Sequence, residues 1–257
     1  MSLSPDLHQR FTEQAGWTQD ARNLFFKYSG ILPGSKILEV GCGTGAVLSS
    51  IQSLLDVQSF GIDFNLEMIR FASTVVPKSY LSAANAGCIP FPANCFDAVV
   101  CHFLLLWVKN PETVLEEFYR ITRPGGVIGI LAEPDYGNRI DYPDELGVAG
   151  HLQRKSLIDQ GANPDIGRQI KELLGNSGCN HISTGILGSF ESESDHSEAI
   201  SEQSLLRSDL SKLLNPEELD TIITLDSAAR KNHSRVQFIP TFYGWGKKPK
   251  IQNQKGH

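Results

Sequence analysis

The sequence predicts an α/β fold built on a doubly wound, mostly parallel sheet, and three observations carry that expectation. Short apolar runs at residues 36–40, 58–62, 96–101 and 127–132 alternate with stretches of helical spacing. The first run ends in a glycine cluster, and an acidic residue closes the second. Strands separated by helices call for right-handed crossovers, which set the strands parallel and place helices on both faces.

Taken in order, residues 5–28 have helical spacing through Phe11, Ala15, Leu24 and Phe25, and the turn at Pro33-Gly34 closes that segment. Residues 36–40 form a strand that runs straight into glycines, and helical spacing resumes over 46–55. A second strand over 58–62 ends at Asp63, a helix capped by Asn65 covers 65–73, and a short strand covers 80–83. The fourth strand spans 96–101. A helix over 111–122 has Pro111 in its first turn and Val114, Leu115, Phe118 and Ile121 on one face. Pro124-Gly125-Gly126 turns the chain into the fifth strand, 127–132.

Beyond Glu133 the alternation loosens. Asp135-Tyr136-Gly137 reads as a turn, 144–159 as a helix outside the sheet layers, and 165–174 as the last sheet-packing helix. A sixth strand is expected over 179–190 and a polar loop over 191–196. Asn215-Pro216 then starts a helix over 217–229. An aromatic strand over 236–245 closes the order, with Pro240 suited to an edge or a bulge. One domain spanning 1–257 is expected: a helical cap at 1–30, a cofactor-binding core at 36–133, and lid insertions at 134–164 and about 194–230.

Composition excludes several function classes. A formal net charge of -6 gives no pull toward phosphate backbones or anionic lipid, so no nucleic-acid partner is expected. The basic run Lys247-Lys248-Pro249-Lys250 reads as a terminal tail. No segment has the roughly 18 consecutive apolar residues of a membrane span, and the N-terminus lacks an apolar signal core. Cys42, Cys88, Cys95, Cys101 and Cys179 include no C-x-x-C pair, and an odd number argues against a complete disulfide framework. The expectation is a cytoplasmic protein with a small-molecule partner and no metal site, monomeric or homodimeric.

Gly41, Gly43 and Gly45 allow the backbone positive φ and close approach to a ligand while the chain turns into a helix. At the end of the second strand, the Asp63 carboxylate can accept hydrogen bonds from vicinal ribose hydroxyls. Together they point to a nucleoside cofactor without naming it. Gly41, Gly43 and Ala46, with Asp63 about 20 residues on, also satisfy the dinucleotide fingerprint.

The company of the loop separates the two. Glu39-Val40-Gly41-Cys42-Gly43-Thr44-Gly45 resembles the first motif of the class I S-adenosylmethionine-dependent methyltransferases, and Gly61-Ile62-Asp63-Phe64-Asn65-Leu66-Glu67-Met68 resembles the second. Asn85-Ala86-Gly87-Cys88-Ile89-Pro90-Phe91 and Phe96-Asp97-Ala98-Val99 resemble the third and fourth, and Arg123-Pro124-Gly125-Gly126 is a further shared element. The resemblance spans 36–133, somewhat under half the chain, and implies a seven-stranded Rossmann-like sheet with an antiparallel last strand. It implies S-adenosylmethionine as cofactor and S-adenosylhomocysteine as product. The glycine loop, including Cys42, would be ordered by Glu39 near the methionine part; Asp63 would bind ribose. Phe64 and Met68 would border adenine, Ala86 would meet it through its backbone, and His102 would face the cofactor near its sulfonium. Asn85 stands where the family commonly has Asp, a weaker acceptor for the adenine amino group.

Methyl transfer from a sulfonium is an in-line displacement governed by positioning, and it needs no protein nucleophile. A general base is required only for an acceptor that is protonated at neutral pH. His102, Glu133 and Tyr136 are the candidates for that role. Trp17, Glu133, Tyr136 and Arg139, with Asp135, lie where an acceptor would enter, and Gln14, Thr18 and Arg22 share neighbouring helical faces with Trp17. Leu104-Leu105-Leu106-Trp107 and the aromatic C-terminal strand read as core. Two competing functions remain: a non-catalytic S-adenosylmethionine-binding protein, for which Asn85 is the positive sign, and a nicotinamide-dependent oxidoreductase, disfavoured by Arg123-Pro124-Gly125-Gly126.

Overall fold

The apolar runs of the sequence converge on one sheet in a computed structural model that describes residues 5–188, 203, 206–211 and 213–250. In chain order the elements are α1 (Pro5–Trp17), α2 (Gln19–Ser29), β1 (Lys36–Val40), α3 (Ala46–Leu54), β2 (Gln58–Asp63), α4 (Leu66–Val75), β3 (Tyr80–Ala83) and β4 (Phe96–Cys101). There follow α5 (Pro111–Ile121), β5 (Thr122–Pro134), β6 (Ile140–Tyr142), α6 (Gly147–Asp159), α7 (Ile170–Asn176), β7 (Asn180–Leu187), α8 (Pro216–Lys231), β8 (Val236–Phe238) and β9 (Thr241–Lys247).

Seven strands pair in the order β3-β2-β1-β4-β5-β9-β7, and β9 runs antiparallel to both of its neighbours. β1 has strands on both sides and helices over both faces, which is why four of its five residues are buried and read as one apolar run. Strand order reverses between β1 and β4, the place where open α/β sheets bind ligands. Val40 is paired with Ile62 and Cys101. The residues that follow these three, Gly41, Asp63 and His102, therefore emerge side by side at one edge.

Two apolar layers flank the sheet. On one face Leu38, Val40, Val99, Ile128 and Ile130 pack with Leu115 and Phe118 of α5 and Leu173 and Leu174 of α7. On the other, Ile37, Ala98, Val100 and Val127 pack with Phe25 of α2, Val47 and Ile51 of α3, and Trp245. A third cluster joins Leu146, Ala149, Leu206, Leu210, Leu219 and Ile222 and forms a separate cap.

The structure departs from the sequence reading in its irregular joints. The helix expected over 5–28 is two helices broken at Thr18, whose hydroxyl bonds back to the carbonyls of Gln14 (3.2 Å) and Ala15 (3.3 Å). The strand expected over 236–245 is two strands in different sheets: β8 pairs with β6, whereas β9 lies between β5 and β7. Pro240 sits at that break, where its missing N–H costs no ladder bond. The helix expected over 165–174 begins as a 3-10 turn at Ile166–Gln169, and that over 144–159 begins as one at Asp144–Leu146. Residues 123–126 leave the ladder between the Phe96–Thr122 and Ala98–Val127 pairs, so the turn is a bulge within β5. Asn215 caps α8 with a full capping box through Glu218. Phe190, the loop over 191–196 and the start of the 194–230 insertion lie outside the described residues.

Buried ion pairs tie α8 to the two-stranded β6–β8 sheet. Arg235 donates to Asp226 at 2.7 Å and to Asp141 at 2.8 Å, Arg230 donates to Asp226 at 2.9 Å, and Arg139 reaches Asp141 at 2.7 Å. Burial opposes ionisation of Asp226, but hydrogen bonds from Arg230, Gln203 and Arg235 outweigh it and hold the carboxyl below its ordinary range. Arg235 is the link between two buried carboxylates, which without it would keep only Arg230 and Arg139 as charged partners, so Arg235→Leu should cost stability, by up to about 3–5 kcal/mol. Urea unfolding checks this, and a midpoint unchanged from the parent would show that the pairs are not coupled to folding.

Candidate functional site

At the carboxyl edge of the sheet the chain builds a crevice from the glycine loop. Gly41, Gly43 and Gly45 have φ of +75°, +50° and +83°, a region that side chains disfavour. A Cβ on Gly43 would stand 3.2 Å from the Phe11 ring of α1. Asp63 locks this loop: one carboxylate oxygen accepts from the Gly43 amide at 2.9 Å and the other from the Asn65 amide at 2.9 Å. A cavity of about 1270 Å³ opens over these residues. Single-ligand pockets span about 300–1,000 Å³, so the space suits a cofactor and a second molecule together.

The cavity brings together Glu39, Gly41, Cys42, Gly43, Asp63, Phe64, Met68, Asn85, Ala86 and His102 with Trp17 and Tyr136. Gly45 lies behind the wall and starts α3. Phe64 is 84% exposed, an unpacked ring at the rim of the crevice. Asn85 turns its carbonyl oxygen onto the Gly87 amide at 2.8 Å.

Beneath the loop lies a buried polar chain. Glu39 is 2% exposed, and its Oε2 has no hydrogen-bond partner. Burial pushes its carboxyl well up, against the pull of the Arg22 charge. Arg22 is fully buried; it donates to the Thr18 hydroxyl at 2.8 Å, to Ser50 at 3.2 Å and to the Ala15 carbonyl. The Thr18 hydroxyl in turn meets His102 Nε2 at 2.7 Å. Burial and the Arg22 charge push His102 down to about 3, so its imidazole is neutral at pH 7.

Three expected acceptor contacts are not at the cavity. Glu133 is fully buried and accepts the amides of Leu104 (2.9 Å), Leu105 (2.7 Å) and Leu106 (3.2 Å), so it caps the 3-10 turn Leu105–Trp107. Arg139 is committed to Asp141 and Gln153. Asp135 is sealed by Arg168 and by Asn138 at 2.9 Å. Conversely, Leu104, Leu106 and Trp107, read as core, line the cavity, and Trp107 is 49% exposed. Arg10, Phe238 and Ile239 join them unforeseen, and Gln153 and Leu157 come from the helix expected as a lid. For Arg10 a signal existed, since it shares the i, i+4, i+7 stripe of α1 with Gln14 and Trp17. The others arrive from segments whose placement depends on the cap.

Fold and crevice together define a doubly wound domain with a nucleoside-type site at its topological switch point. Residues 38–130 match the family described as a methyltransferase domain. That stretch, a little over a third of the chain, is thus similar in sequence to methyltransferase domains. The chain is 34% identical to a demethylmenaquinone methyltransferase of Renibacterium salmoninarum over 125 residues, 48% of this chain and 52% of that protein. It thus spans about half the length of the relatives it matches. Among solved structures it is similar to phosphoethanolamine N-methyltransferase 2 of Haemonchus contortus in complex with S-adenosyl-L-methionine (TM-score 0.60, 14% identity, 90% of this chain and 53% of that one). It is also similar to the [4+2]-cyclase SpnF (TM-score 0.59, 18% identity, 91% and 82%).

Burial raises the Glu133 carboxyl to about 8 although three backbone amides oppose the shift. A carboxyl raised above its unfolded value of about 4.3 stabilises the fold fully only below that value, and the stabilisation is lost as pH rises toward about 8. Urea unfolding at pH 5, 6, 7 and 8 should show Glu133→Gln gaining on the parent protein as pH rises. A gap moving the other way would mean that the three amides win over burial.

Proposed function

We propose that the chain is an S-adenosylmethionine-dependent methyltransferase that passes a methyl group to a small-molecule acceptor in the cytoplasm. The observation that carries this reading is the buried, unpartnered Glu39 Oε2 beside the Asp63-clamped glycine loop. A carboxylate oxygen in that position suits the ammonium of an amino-acid moiety, and Asp63 keeps lone pairs for ribose hydroxyls. Phe64, Met68 and Ala86 offer apolar surface and backbone to an adenine. The donor set fits the cofactor at both of its ends. Five free thiols agree with a reducing compartment, and among the described residues no helix is long and apolar enough to cross a membrane.

When bound, S-adenosylmethionine supplies an electrophilic methyl group on a sulfonium. The residues of this chain contribute position and electrostatics. His102, neutral and held by Thr18, places no positive charge on the cofactor wall. Burial, with Asp209 adding to it, pushes the Tyr136 hydroxyl up to about 12, so it stays protonated and serves as a donor. His102 at about 3 is a weak base, and Glu133 faces away from the cavity. Holding the acceptor in line, rather than taking its proton, is what these groups are built for.

A non-catalytic cofactor-binding protein of the same fold is the second reading. Asn85 favours it, since one lone pair of its carbonyl oxygen already serves Gly87. The likeness to a protein called a cyclase adds that this fold is compatible with other chemistry. Labelled methyl transfer into metabolite extracts separates the two.

Calorimetric titration should show binding of S-adenosylhomocysteine and no response to NAD(H); the reverse would sink both readings. Asp63→Ala should weaken S-adenosylhomocysteine by about 1.5–3 kcal/mol, roughly tenfold to a hundredfold in Kd. An unchanged Kd would refute the ribose assignment.

A further inference from the structure

One charged side chain in the cavity has no use in the cofactor site. Arg10 projects from α1 into the space, and its Nε is buried without a hydrogen-bond partner. Among the described residues no ion pair engages it. Helix geometry separates this group from the cofactor loop. His8 and Phe11 sit on that loop, through a 2.8 Å contact of His8 Nδ1 with the Thr44 hydroxyl and through the close approach of Phe11 to Gly43. Arg10 belongs to the neighbouring stripe with Gln14 and Trp17, and its charge is felt at the Tyr136 hydroxyl across the cavity.

Part of the cavity wall is apolar, formed by Leu106, Leu157, Phe238 and Ile239. Some polar groups nearby are already paired. Gln153 donates to Asp209 at 2.7 Å, and Arg139 is consumed by Asp141. A buried guanidinium nitrogen without an acceptor costs free energy, which a ligand oxygen would recover. With one free guanidinium and the Asp209 carboxylate close to the same hydroxyl, the local field suits a single negative charge better than a dianion such as phosphate.

We propose that the second molecule in this cavity is an apolar carboxylate whose anionic end pairs with Arg10 and whose body lies on Leu106, Leu157, Phe238 and Ile239. This rests on reading the cavity as a shared cofactor and acceptor space. Arg10 then sets acceptor specificity and leaves cofactor affinity alone. The pair works because a guanidinium offers two parallel donors to a carboxylate, and the flanking apolar wall keeps water from competing.

The test is a titration of the full chain, saturated with S-adenosylhomocysteine, with 4-phenylbutyrate and with its neutral amide, followed by tryptophan fluorescence, since Trp17 and Trp107 line the cavity. The acid should bind about tenfold or more tightly than the amide, the scale of one charge-assisted contact. Arg10→Gln should erase that preference and keep the Kd of S-adenosylhomocysteine within about twofold, and Arg10→Lys should restore part of it. Equal binding of acid and amide, or binding of neither, overturns the proposal. So does a loss of S-adenosylhomocysteine affinity in Arg10→Gln, which would assign Arg10 to the cofactor's own carboxylate. Failure of the parent protein to bind S-adenosylhomocysteine would instead bring down the cofactor reading itself.

Discussion

A carboxylate buried at the end of a central strand governs the arrangement around it. Glu39 lies on β1 between the chain segments that lead to Asp63 and His102, where water cannot solvate it. Burial pushes its carboxyl well up, and the Arg22 charge from α2 pulls the other way. Arg22 is itself buried and must satisfy its own donors, which it does with the Thr18 hydroxyl, Ser50 and the Ala15 carbonyl. Meeting that demand explains why the N-terminal helical segment breaks at Thr18: one continuous helix would keep the Ala15 carbonyl in its own ladder. The break lays α1 over the glycine loop and ties His102 to the same chain of bonds. One buried arginine thus ties the helical cover and the strand-end imidazole together.

How far the sequence could be read follows from how local each signal is. The glycine loop, Asp63 and the Asn65 cap are written within a few residues, and the structure keeps them where they were expected. The parallel order was legible because each strand and its helix form a repeating unit. Glu133 was misread for the opposite reason. An acidic residue at a strand end looks the same whether it faces a pocket or caps a turn, and the amides that claim it come from 27 to 29 residues upstream. Arg139 and Asp135 went the same way, since their partners Gln153 and Arg168 belong to elements beyond Asp144. The aromatic run over 236–245 kept its β character, but periodicity does not tell that its two halves pair in different sheets.

The two halves of the cavity are built on different principles. The cofactor half is made of strand ends and backbone, fixed by the register of β1, β2 and β4 and by short loops. Its geometry is set by the core. Residues 38–130, the part matched to the family, hold nearly all of it. The other half, the one proposed to take the acceptor, is made of side chains from α1, α6, the segment around Asp209 and the Phe238–Ile239 stretch. These meet only because the cap folds against the sheet.

That cap has its own apolar cluster and an ion network with few water-facing groups, in which Asp141, Asp226, Arg235 and Arg139 neutralise one another. The network has a consequence for recognition. It consumes Arg139, and together with Asp209 it holds both ends of the Gln153 side chain. Arg10 enters from the opposite side, from a helix anchored to the cofactor loop rather than to the cap. A charge on one wall and apolar surface on the other give a bound molecule a head and a tail. Its orientation relative to the cofactor loop then follows from how α1 is seated, which the buried Arg22 fixes through Thr18 and the Ala15 carbonyl.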